Sequence, residues 1–81
     1  MALDESQGIA DEAEVVVPDN TTTFAEPSAL YIGGGGDVTV DLAKGGSNIT
    51  FPAVFAGTWM PILVTRVYLT GTSATNIVRL F

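Results

Sequence analysis

The chain has 81 residues, a net charge of −6, and neither cysteine nor histidine. A domain this small is marginally stable unless disulfides, a metal or oligomerisation support it. The composition excludes disulfides and makes a zinc site implausible. Because 47% of the residues are hydrophobic and only 15% are charged, we expect neighbouring subunits to cover part of the surface.

The charges divide between the two halves of the chain. All nine acidic residues lie in residues 1–41, and the three basic residues, Lys44, Arg66 and Arg79, lie beyond them. Nucleic-acid binding requires a basic surface, and an acidic segment is repelled by anionic membranes. We therefore expect neither nucleic acid nor a membrane as a partner.

Residues 1–14 are polar, acidic and aperiodic. We interpret them as a flexible N-terminal arm with a nascent helical turn around residues 10–14. Two interpretations of the arm stay open: a disordered tail, or a segment that becomes ordered on contact with a partner. Residues 15–81 form the second region, a β-sandwich domain.

Short β-type segments with turn residues between them fill this second region. Residues 33–36, all glycine, are expected to form a flexible connection, and Pro52 and Pro61 are expected to end one strand and begin the next. The chain is expected to end in a paired strand at Phe81. The predicted strands are residues 15–17, 29–32, 37–42, 48–51, 62–70 and 76–81.

Alternation is clearest in residues 37–42, where valines and a leucine alternate with Asp37, Thr39 and Asp41. This period of two predicts one buried face and one face in water. Residues 62–70 are largely apolar on both faces, which predicts a strand that is either central to the sandwich or close to a subunit boundary. With no helical period, the sequence predicts an all-β fold, a small antiparallel β-sandwich that is jelly-roll-like or barrel-like.

Few residues can support catalysis or bind a metal. Lys44 lies beside two glycines in a predicted turn, where its amine is solvated and protonated, which disfavours a Ser–Lys catalytic pair. Asp37 and Asp41 share one face of a predicted strand but are about 13 Å apart along it, too far for paired-carboxylate catalysis. A calcium site at Asp19 is conceivable, but an Asx-type turn is the better interpretation. We expect no enzymatic activity, no catalytic residue, no metal and no cofactor.

The large aromatic residues can belong to the core, to a subunit interface or to a sugar-binding platform. The charge division suggests a mechanism of assembly, in which the acidic first half of one subunit meets Arg66 or Arg79 of the next in a head-to-tail ring. The possible subunit interface consists of Tyr31, Trp59, Arg66, Tyr68, Arg79 and Phe81.

From Val15 onward, the order and spacing of several short stretches resemble the head-spike base proteins of gene transfer agents and related tailed phages. Ser28 stands where that family often has a basic residue, and residues 1–14 are more acidic than the short starts of its members. The matching stretches are VPDNTT at 17–22, ALYIG at 29–33, GDVTV at 36–40, TF at 50–51, AGT at 56–58, PI at 61–62, RV at 66–67 and GTSATNIV at 71–78.

The resemblance implies a virion structural protein on the capsid surface. Such a spike base subunit assembles into a homo-oligomeric ring that contacts the capsid protein and anchors a spike or fibre protein. Two alternatives stay open: a capsid decoration or cement protein, and a small carbohydrate-binding, adhesin-like module.

Overall fold

The computed structural model describes Leu3–Asp4, Ile9–Ala10 and residues 12–81, with side chains from residue 12 onward. Within these residues there is no helix, and hence none with the length and apolar character needed to cross a membrane. The strands are β1 (Leu3–Asp4), β2 (Ile9–Ala10), β3 (Ala13–Val15), β4 (Ser28–Gly34), β5 (Gly36–Leu42), β6 (Ile49–Val54), β7 (Thr58–Val67) and β8 (Thr75–Leu80).

All strand pairs are antiparallel. β1 pairs with β2, and the other strands form one six-stranded sheet in the order β3-β8-β4-β7-β5-β6. The prediction of a small all-β antiparallel fold is confirmed. From β3 to β8 the structure has one continuous sheet, where a sandwich has two.

β7 joins the two halves of this sheet. Its residues from Thr58 to Val64 pair with β4, and those from Val64 to Val67 pair with β5. Buried side chains of β4, β5, β7 and β8 meet in one cluster, and Leu30, Val38 and Val64 each have 0% exposure. A flat sheet leaves both of its faces accessible, so complete burial requires this sheet to curl around the core.

The N-terminal region differs from the prediction where it is described. The expected helical turn around residues 10–14 is wrong, because Ala10 lies in β2, and Ala13 and Glu14 lie in β3, paired with β8. The strand pairing therefore begins before Val15. The predicted flexibility of the arm concerns residues that lie mostly outside the described part of the chain, and the division at residue 14 stays a prediction.

The expected flexible connection at residues 33–36 is also wrong. Gly33 and Gly34 end β4, Gly36 begins β5, and Gly35 alone separates them. A Cβ atom at Gly36 would lie 2.6 Å from the Ala74 backbone nitrogen. The glycines are thus required because neighbouring backbone packs against them.

Two prolines lie inside strands that they were expected to end or begin. β6 continues through Pro52, which is tolerated because β6 is at the edge of the sheet. Pro61 lies within β7, before β5 begins to pair at Val64. At Pro61 one side of β7 therefore has no neighbouring strand that needs an N–H donor.

The predicted strand pairing at Phe81 is confirmed. The Phe81 amide donates to the Glu12 carbonyl at 2.9 Å, and the Glu12 amide donates to the Phe81 carbonyl at 2.7 Å. These bonds extend the pairing of β3 with β8 by one residue.

The prediction that Thr39 faces water is wrong. Thr39 is 1% exposed, and its hydroxyl donates to the Gly71 carbonyl at 2.9 Å and lies 2.9 Å from the Thr50 hydroxyl. Its backbone amide donates to the Thr72 hydroxyl at 3.0 Å. The turn before β8 therefore covers the outer side of β5 at this position.

Gly71 and Gly45 provide a matched test of this covering turn. Gly71 has φ +89°, and a Cβ there would lie 2.6 Å from the Thr39 hydroxyl oxygen, whereas a Cβ at Gly45 meets nothing within 4 Å. We expect Gly71→Ala to lower the free energy of unfolding by more than about 1 kcal/mol and Gly45→Ala to change it by at most about 1 kcal/mol. Urea unfolding followed by circular dichroism measures both, and equal effects would contradict the assigned role of Gly71.

Candidate subunit interface

The candidate interface residues separate into two groups in the structure. Tyr31 and Trp59 are exposed on the outer side of the sheet, at 41% and 56%. The other members of the predicted set, Arg66, Tyr68, Arg79 and Phe81, form contacts within their own chain.

Arg79 lies on β8 and is only 7% exposed. Its Nε donates to Glu14 Oε1 at 3.1 Å, and one of its terminal nitrogens donates to the Ser28 hydroxyl at 2.9 Å and to the Glu26 carbonyl at 3.3 Å. A buried guanidinium is stable only when its donors are paired, and these partners come from both sides of β8.

The guanidinium of Arg79 also stacks on aromatic rings. Its central carbon is 3.9 Å from the ring centroid of Phe81 and 4.7 Å from that of Phe24. Phe81 itself is 8% exposed. Arg79 and Phe81 therefore form an internal junction between β8, β3 and the segment before β4.

A second cluster forms around Asp41 of β5. The Tyr68 hydroxyl lies 2.9 and 3.0 Å from the two carboxylate oxygens of Asp41, and a terminal nitrogen of Arg66 is 3.4 Å from Oδ2. The Arg66 guanidinium carbon is 5.5 Å from the centroid of the Tyr68 ring. The Asn48 amide also donates to Asp41, at 2.8 Å, so the cluster links β5, β7 and the turn before β6.

These contacts set the ionisation of Asp41. Burial raises its pKa, but its neighbours lower it by more, and the net pKa lies below the ordinary aspartate value. The neighbours that lower it are the Asn48 amide, the hydroxyls of Tyr68 and Ser47, and the charge of Arg66. Asp41 is therefore held as a carboxylate by the fold.

Both arginines that were expected to meet the acidic half of a neighbouring subunit are thus paired with acidic residues of their own chain. Arg79 pairs with Glu14 and Arg66 pairs with Asp41. These pairs use part of the hydrogen-bonding capacity of both guanidinium groups. The head-to-tail ion pair between subunits stays a prediction.

The exposed aromatic pair belongs to a longer apolar row. Tyr31 is directly opposite Trp59 on β7 and Val78 on β8, and Val78 is directly opposite Val15 on β3. Val15 is 72% exposed. The sequence alone did not point to Val15 or Val78, because only the strand register places them beside the aromatic residues.

Two surface cavities lie at the sheet, and Val15, at the end of this row, lines one of them. One, of about 330 Å³, lies between β3 and the segment before β4, and the other, of about 550 Å³, lies between Leu42 and Ile62. Neither contains Tyr31 or Trp59. The aromatic pair is therefore an open surface and does not line either cavity.

Asp19 accepts hydrogen bonds from the Thr21 amide at 2.8 Å and the Thr21 hydroxyl at 2.9 Å. These bonds lower the pKa of Asp19. They define the Asx-type turn that was favoured over a calcium site.

Comparison with known proteins gives a match among solved structures. No family model matches the sequence, and neither does any curated protein. Among solved structures, a chain of "Capsid of native GTA particle computed with C5 symmetry" is 28% identical, with a TM-score of 0.79. The match covers 96% of this chain and 90% of that chain.

The match extends over nearly the whole of both chains, so the similarity concerns the complete fold. It supports a capsid-related protein of gene transfer agents or phages, a virion structural role and a location in the virion. This agrees with the broader part of the resemblance found in the sequence. The spike base role and the ring stay predictions.

The junction at Arg79 can be tested by Arg79→Met, which keeps an unbranched apolar stem without the guanidinium. We expect a loss of about 3–5 kcal/mol in unfolding free energy, because Ser28 and the Glu26 carbonyl lose a buried donor. Glu14 is 64% exposed at its side chain, so Glu14→Gln should cost less than about 1 kcal/mol. Urea denaturation at neutral pH compares the variants, and a similar small effect of both would contradict a structural role for Arg79.

The Asp41 cluster predicts a pH dependence. Because the pKa of Asp41 is lower in the folded chain, the stability it contributes is complete above its unfolded pKa of about 3.9 and is lost as the pH falls through the folded value. The difference in unfolding free energy between wild type and Asp41→Asn should therefore shrink as the pH falls below about 4. Urea titrations of both proteins at neutral and acidic pH measure it, and a constant difference would refute the prediction.

Proposed function

We propose that this chain is a virion structural protein, the base subunit of a head spike on the capsid surface. In this role, identical copies assemble into a ring that contacts the capsid protein on one side. The ring anchors a spike or fibre protein on the other side.

The observation that carries the proposal is the similarity, over 96% of the chain and with a TM-score of 0.79, to a chain of a gene transfer agent capsid. The structure of that capsid was computed with C5 symmetry.

The physical properties of the chain suit a role as a scaffold. The chain is small, and cysteine and histidine are both absent, so disulfides cannot support its core and a zinc site is implausible. Its two ion-paired clusters fix β3, β5 and β8 within the fold. Large apolar side chains stay exposed, which is typical of surfaces that a partner covers.

Cryo-electron microscopy of particles that carry the chain tests the proposal. We expect density that fits residues 12–81 in rings on the outer capsid surface, each ring beneath a spike or fibre. Deletion of the gene should give capsids that lack both the ring and the spike.

Other outcomes would overturn the proposal in distinguishable ways. Single copies distributed over the capsid lattice, with no spike above them, would indicate a decoration protein instead. Absence from the particle, together with glycan binding by the isolated chain, would indicate a carbohydrate-binding module.

A further inference from the structure

We draw no further inference here: the strongest candidate, the apolar row of Val15, Val78, Tyr31 and Trp59 on the outer side of the sheet across β3, β8, β4 and β7, carries none because nothing in the structure of the described residues shows what covers it.

Discussion

The strand β7 determines the shape of the molecule because it pairs with β4 through its first half and with β5 through its second half, with Val64 shared by both. The stagger lets one continuous sheet curl around a single core, in which Val64 is fully buried. It also explains why Pro61 is tolerated inside a long strand, since β5 has not yet begun to pair there. The burial of the core cluster between β4, β5, β7 and β8 depends on this change of partner.

The curled sheet sorts the polar residues into two internal clusters. Arg79 is enclosed by Glu14, Ser28 and the Phe81 ring, and Asp41 is enclosed by Arg66 and Tyr68. Each cluster links strands that are distant in sequence, so both stabilise the fold of a chain without disulfides. Both arginines thus already have partners within the chain.

The capsid-related match and the exposed aromatic pair, Tyr31 and Trp59, are independent observations on the role of the chain. The match concerns the whole chain and supports a virion structural protein. Because Tyr31 and Trp59 are exposed and line neither of the two cavities described above, they favour contact with a protein surface over the enclosure of a small ligand.

The sequence by itself determined the all-β antiparallel class, the approximate positions of six strands and the paired end at Phe81, because these depend on local alternation and turn residues. It also determined the Asx-type turn at Asp19, whose hydrogen bonds join near neighbours. Only the tertiary structure decided that Arg66 and Arg79 pair within the chain and that Thr39 is buried under a turn. The tertiary structure also decided that Val15 lies in one row with Trp59. Strand order and register are set by contacts between segments that are distant in sequence, so no local sequence pattern predicts them.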